Sequence, residues 1–195
     1  MSNGTSQFIG TAGQYYVAYG LEARQIHAAL TIGNALGVDV LAAKDDGSRM
    51  LSIQVKTARN ATKRSYGDDG YNWDVGKSAV GKFSESLWYA FVDMEGTGFK
   101  PSVYFVPSRW VGLFVEPAFT RKLFFLRKSV ADKVRNNWDF VNRYLDGDVE
   151  MATWANSLDP DFRWWGSKDG CSSAEIEECI KNGVRWNANG SPKDN

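Results

Sequence analysis

Apolar and polar residues follow two different rhythms along this chain, and the changes of rhythm predict its elements. Val17, Leu21 and Ala28, joined by Ala18 and Ile26, recur at helical spacing, which predicts a helix from about Thr11, of N-cap type, to about Ala29. Gly37-Val38-Asp39-Val40-Leu41-Ala42 is then an apolar strand carrying a single acid. After Lys44-Asp45-Asp46-Gly47-Ser48-Arg49, with its Asp-Gly turn signal, Met50 to Thr57 alternates as a second strand, and the two are predicted to pair as a hairpin. Leu87 to Asp93 and Val103 to Ser108 are two further strands, joined through Glu95-Gly96-Thr97-Gly98, with Pro101 and Pro107 at strand edges. The segment from Ala58 to Lys82 is long and rich in Gly, Asp, Ser and Asn, and reads as a functional or mobile loop. From Ala118 onward Leu123, Leu126, Val130, Val134, Trp138, Val141 and Leu145 predict helix. Trp-rich loops follow, and then a helix opened by the capping-box pair Ser172 and Glu175 and ending near Gly183.

The hairpin is where the pattern meets chemistry. Strand side chains alternate faces, so Gln54 and Lys56 share one side while Ile53 and Val55 enter the opposite layer. The short turn brings Asp39 near the Gln54/Lys56 end. A carboxylate, an amide oxygen and an ammonium are thus expected to converge at a sheet edge.

These residues resemble the PD-(D/E)XK, or restriction-endonuclease-like, nuclease superfamily in its Gln-x-Lys variant. Gly10 to Leu21 is similar to the family's first core helix, with Gln14 at the position where relatives place an acid, and the strands at 87 to 93 and 103 to 108 are similar to the next two core strands. The resemblance spans roughly residues 8 to 110. Val38 stands where the motif has proline, Gln54 where it has an acid, and Gln14 where the helix usually has glutamate.

The resemblance implies an α/β fold: a restriction-endonuclease-like core with a mixed central sheet flanked by helices over residues 1–115. A helical, Trp-rich C-terminal extension over 116–195 packs on it as a single compact unit. It implies a Mg²⁺- or Mn²⁺-dependent endonuclease hydrolysing phosphodiester bonds in DNA, with Asp39, Gln54, Lys56 and Gln14 catalytic. Asp39, the Gln54 amide oxygen and the Val55 carbonyl would hold the metal. Lys56 would orient or deprotonate the attacking water. With glutamine in place of two acids the ion is held by less charge, so substrate phosphate is expected to complete the site. Two alternatives stay open: a catalytically degenerate nuclease-fold protein that binds nucleic acid or a protein partner without cleaving, and an interaction protein whose Gln54 and Lys56 are ordinary edge-strand residues.

Charge adds a location. The formal charge of the chain is zero, yet residues 1–144 hold 18 Lys/Arg against 13 Asp/Glu and residues 145–195 hold 5 against 10. Within the basic part, Lys56, Arg59, Lys63 and Arg64 crowd behind the Gln-Val-Lys strand, which makes Arg59, Lys63 and Arg64 candidate phosphate contacts. Arg121, Lys122, Arg127, Lys128, Lys133 and Arg135 form a second cluster, read equally well as solvated surface.

Other chemistries fall away. A helical stretch between Cys171 and Cys179 would separate them by roughly 12 Å, beyond the roughly 7 Å a disulfide tolerates, and free thiols suit a reducing compartment. With no secretory signal and no apolar run of spanning length, a cytoplasmic protein without a membrane partner is expected. Gly76-Lys77-Ser78 lacks the leading glycine and the strand of a phosphate-binding loop. One histidine, His27, and two cysteines cannot build the usual zinc site. Asp45/Asp46 and Asp68/Asp69 read as turn residues. Trp154, Trp164, Trp165 and Trp186 read as core or subunit-interface residues rather than base-stacking platforms, which leaves a homodimer or higher homo-oligomer open.

Overall fold

The computed structural model describes residues 3–32, 37–65, 68–76, 79, 84–95, 100–114 and 122–149. The readings placed on Lys77 and Ser78, on Arg121, and on everything from 150 onward, including both cysteines and the Trp-rich segment, lie outside the described residues. The elements run α1 (Asn3–Glu22), β1 (His27–Leu30), β2 (Val40–Ala43), β3 (Met50–Ala58), β4 (Thr62–Ser65), β5 (Asp68–Asp74), β6 (Leu87–Asp93), β7 (Ser102–Pro107), α2 (Ser108–Phe114), β8 (Leu123–Arg127), α3 (Lys128–Val134) and α4 (Trp138–Leu145).

Helix α1 starts and stops earlier than its apolar spacing predicts. Thr11 lies inside it, and Asn3 to Ser6 form its first turn. Its end is set by backbone geometry. Gln25 takes φ 61°, its N–H donates to Glu22 C=O at 3.0 Å, and Ile26 N–H donates to Leu21 C=O at 3.1 Å. This is the Schellman arrangement, with fully buried Ile26 and Leu21 supplying its apolar contact. The expected glycine is absent at Gln25, so the helix stop is invisible in the sequence. Ile26 and Ala28, assigned to the helix by their spacing, belong instead to that turn and to β1.

Five strands form the main sheet in the order β1-β2-β3-β6-β7. β1, β2 and β3 are an antiparallel meander, β3 and β6 are parallel, and β6 and β7 are antiparallel. The parallel step requires a long crossover, and the Gly- and Asp-rich segment expected to be a loop supplies it while folding into the hairpin β4–β5. Asp68 and Asp69, read as turn residues, open β5. β8 adds to β5, so a second sheet of order β4-β5-β8 forms. The helical reading of 123–127 is therefore overturned. Leu123, Leu126 and Val130 fit a helical period, but in Leu-Phe-Phe-Leu-Arg the buried residues are Phe124 and Leu126, two apart, and α3 begins only at Lys128.

The two faces of the main sheet are buried by different partners. β6 and β7 are covered on both sides along their whole length, which explains their unbroken apolar runs. On one face Trp88 packs on Phe140 and Tyr144 of α4, and Phe105 meets Trp138 edge-on at 5.0 Å. Helix α1 shares that face: a Cβ on Gly20 would lie 2.3 Å from the Trp138 ring, so glycine is required there. On the other face Phe91 stacks on Phe124 at 4.8 Å, and Trp73 contacts both Phe91 and Tyr104, so the second sheet is the covering layer. Gln54 and Lys56 pair with Tyr89 and Phe91 and therefore face this inter-sheet layer. Among the described residues no helix is long and apolar enough to cross a membrane.

The left-handed backbone at exposed Gln25 generates a prediction. An L-residue in this region costs about 1–2 kcal/mol, which glycine avoids at a smaller entropic cost. Gln25→Gly should raise the unfolding free energy by about 0.5–1 kcal/mol, read as a higher urea midpoint at unchanged slope.

Candidate active site

The site starts from a local irregularity at the end of β2. Val40 pairs with Ile53, and Asp39 N–H, just ahead of β2, also donates to Ile53 C=O at 2.8 Å, so two consecutive residues oppose one of β3. Such a two-on-one step bends the strand and re-aims its side chains. The Asp39 carboxylate swings back toward β3, where Oδ2 accepts the Val55 N–H at 2.7 Å. Oδ1 accepts from Gln14 Nε2 of α1 at 2.9 Å. The main-chain oxygen of Asp39 accepts from Thr31 N–H at 3.0 Å, and Thr31 Oγ1 donates to Val38 C=O at 2.6 Å, which fixes the segment entering β2.

Beyond Ile53 the two strands part. In extended backbone a residue's N–H and C=O point to the same side, and Val55 N–H points at Asp39, so the Val55 carbonyl faces the same fork. Asp39, Val55 and Gln14 are thus brought together at the fork, while Gln54 and Lys56 project from the adjoining positions of β3 into the inter-sheet layer.

Gln54 is 7% exposed, and its Oε1 is buried with no hydrogen-bond partner among the described residues. Leaving such an acceptor unpaired costs about 1–3 kcal/mol, a cost that a ligand would offset. Asp39 and Lys56 are half-buried, accessible from solvent while rooted in the sheet. Arg59 is exposed directly after β3, and Lys63 and Arg64 lie on β4, paired with Gly70 and Asp69, their side chains outside the described residues.

Sequence reasoning passed over several polar groups around β3. Thr57 Oγ1 is buried without a partner among the described residues, and it lies where α1 presses closest, 1.9 Å from the position a Cβ on Gly13 would take. Tyr89, in register with Gln54, is 1% exposed, and its hydroxyl likewise has no partner among the described residues. Burial pushes the Tyr89 phenol up to about 12. Asp93, level with Ala58, is buried; desolvation raises its acid above the usual carboxylate value, against hydrogen bonds from the Glu95 and Ala61 N–H groups that lower it. No sequence signal marked Tyr89 and Asp93, since tyrosine and aspartate on an unbroken apolar strand read as core and strand end.

Other polar groups are structural. Asp46 accepts from Ser48 N–H at 3.1 Å and from its hydroxyl at 3.0 Å, which makes it a turn residue as expected. His27 is exposed and its Nε2 lies 2.6 Å from Asp45 Oδ1. Among the described residues no three His, Cys, Asp or Glu side chains come together as a metal cluster. At the fork itself the oxygens are those of the Asp39 carboxylate and the Val55 carbonyl, while Gln14 presents its Nε2 to Asp39.

No protein-family profile matches the chain, and no curated protein matches it. Among solved structures, that of a bacterial homing endonuclease is similar, with a TM-score of 0.48 and 16% sequence identity over 72% of this chain and 94% of that chain.

The closeness of Gly13 to Thr57 governs where Gln14 sits. Gly13→Ala should push α1 away from β3 and cost about 1–3 kcal/mol of stability, because the added carbon meets Thr57 Oγ1 at 1.9 Å and its Cβ and Cγ2 at 3.0 Å. Adding Thr57→Ala should restore much of the loss. Equal urea midpoints for wild type and Gly13→Ala would show that the helix does not rest on this contact.

Proposed function

We propose that this chain is a metal-dependent endonuclease that hydrolyses phosphodiester bonds in DNA at the fork between β2 and β3. The observation that carries this reading is the Asp39 carboxylate, pinned at the mouth of the fork by Val55 N–H at 2.7 Å and Gln14 at 2.9 Å. The buried, unpartnered Gln54 Oε1 lies on the strand beside it. Hard divalent cations take oxygen ligands. Asp39, Gln54 Oε1 and the Val55 carbonyl offer them, and Mg²⁺ or Mn²⁺ is the fitting occupant. When bound, such an ion supplies charge relief at phosphate oxygens and a more acidic water.

The chain's own groups do the rest. Asp39 is already oriented, so it needs no reorganisation at the moment of reaction. Lys56 shares the face of Gln54 and is half-buried; as the amine it would take the proton of the attacking water, and as the resulting ammonium it would neutralise charge growing on the phosphate. Arg59, Lys63 and Arg64 supply phosphate contacts that position the duplex without reading its sequence. With a single carboxylate at the centre, a bound cation would need substrate phosphate oxygens as further ligands, so its affinity would be coupled to DNA.

A second reading, binding of nucleic acid without cleavage, is favoured by the Gln14 amide, which presents N–H rather than an acidic oxygen to Asp39. Substitution separates the two. Asp39→Asn retains an acceptor for Val55 N–H and Lys56→Met retains the aliphatic stem, so both should fold. Each should lower Mg²⁺-dependent DNA cleavage by about a hundredfold or more. Wild-type protein that binds DNA and never cuts it in Mg²⁺ or Mn²⁺ would decide for the second reading.

Gln14 also tunes the ion. Gln14→Glu sets a second carboxylate within hydrogen-bond distance of Asp39, so calorimetric titration with Mn²⁺ should give tighter binding than wild type, and Asp39→Ala should cancel the gain. Equal affinities would place Gln14 outside the metal shell.

A further inference from the structure

Helix α1 is held to the sheet by one side only. Gly13 and Gly20 press against Thr57 and Trp138, and Val17 and Leu21 on the same side are fully buried. At about 100° per residue, Phe8, Tyr15 and Tyr19 fall within an arc of about 40° opposite Val17. All three face solvent, Phe8 at 78%, Tyr15 at 61% and Tyr19 at 70% exposure, and exposed Ala12 completes the row. Positions 8, 12, 15 and 19 are separated by four, three and four residues, the alternation of a coiled-coil seam. That spacing reads the same in both directions. Against an antiparallel copy related by a two-fold axis between Gly13 and Gln14, Phe8 lies opposite Tyr19, and Ala12 lies opposite Tyr15, small against large at the centre. A parallel copy would set Tyr15 against Tyr15 and leave a gap between the two Ala12 positions.

We infer that this face of α1 is a self-association surface through which two copies of the chain pair, their helices antiparallel. Charge selects that occupant. The helix carries no Lys or Arg, so it attracts neither phosphates nor an anionic membrane surface. Its one charged residue, Glu22, accepts the Ala28 N–H at 2.7 Å and is turned toward β1, so no like charges oppose self-pairing along the seam. Area is sufficient as well. A covered aromatic ring buries roughly 150–250 Å², and about two thirds of each ring is open here, so the rings of two copies supply about 600–1,000 Å². Exposed Thr11 and Ala12 beside them bring the pair to the roughly 1,000 Å² that a specific interface requires. Such a contact is isologous and closes on itself. Because Gln14 of the same helix is bonded to Asp39, the pairing would fix two forks about one two-fold axis.

Sedimentation equilibrium of the full chain tests this. At high micromolar concentration the wild type should show twice the single-chain mass and dissociate on dilution. Phe8→Glu and Tyr19→Lys each place a charge against a ring across the seam, so each should weaken dimerisation by at least about tenfold. Both positions are exposed, so both variants should keep the far-ultraviolet circular dichroism of the wild type. Mixing the two variants should restore the dimer, because the antiparallel arrangement sets Glu at position 8 of one copy against Lys at position 19 of the other and leaves a native Tyr19–Phe8 pair at the far end. A monomeric wild type overturns the inference. So does a dimer that both substitutions leave intact, since it would then form through another face. Variants that are monomeric alone and stay monomeric when mixed overturn the antiparallel register. None of these outcomes depends on metal or on cleavage, so the nuclease reading stands or falls separately.

Discussion

Both oxygens of the Asp39 carboxylate are tied to the fold, one to a backbone N–H of β3 and one to the Gln14 amide of α1. Through one side chain the strand that carries Gln54 and Lys56, the strand that ends at the fork and the helix that crosses them acquire a common reference point. A carboxylate has about four lone-pair sites, and the two protein donors take two. What remains faces the fork already oriented. The two-on-one step at Val40 and Asp39 makes this possible, since a regular ladder would keep the carboxylate in line with the sheet.

Packing keeps that reference point in place. Helix α1 lies on the sheet through two glycines that leave no room for a Cβ, Gly13 over Thr57 and Gly20 over Trp138. The Arg24 guanidinium then covers the same indole at 4.6 Å and donates to Gly20 C=O at 2.7 Å, closing the helix end over α4. The turn at Gln25 sends the chain straight into β1, which pairs with β2, which pairs with β3. A displacement of α1 would therefore reach Asp39 by two routes, directly through Gln14 and indirectly through the meander. Close packing transmits such shifts rather than absorbing them.

How much of this was legible in the sequence depended on whether the signal was a period or a geometry. The β2–β3 hairpin was legible because alternation and turn chemistry agree there, and β6 and β7 because short unbroken apolar runs stand out; Leu87 to Asp93 matches β6 at both ends. The stop of α1 was not, because its left-handed residue is Gln25 and a glutamine carries no turn signal. The second sheet was not, because β4 and β5 are too polar to read as strands and β8 fits a helical period by accident. Residue types singled out Asp39 and Gln14, which a hydrogen bond joins at the fork, and Gln54 and Lys56, which lie on the adjoining face of β3. They could not give the Asp39–Val55 bond, which exists only because of the irregular step, nor the pairing of Gln54 with Tyr89, which needs the register of two strands separated by the crossover.

Buried unpartnered polar atoms are costly, and their placement here is uneven. Gln54 and Thr57 lie on β3 beside the fork and Tyr89 lies in register with Gln54, so three of these groups gather around one stretch of two paired strands. An apolar residue at position 54, level with Tyr89, would remove a cost of about 1–3 kcal/mol. A sequence selected for stability alone would have no reason to keep glutamine there. Proteins carry such local conflicts mainly where function requires them. The conflict at Gln54 sits on the strand whose next N–H holds the Asp39 carboxylate, so the unpaired amide and the pinned acid are carried by neighbouring positions of one strand.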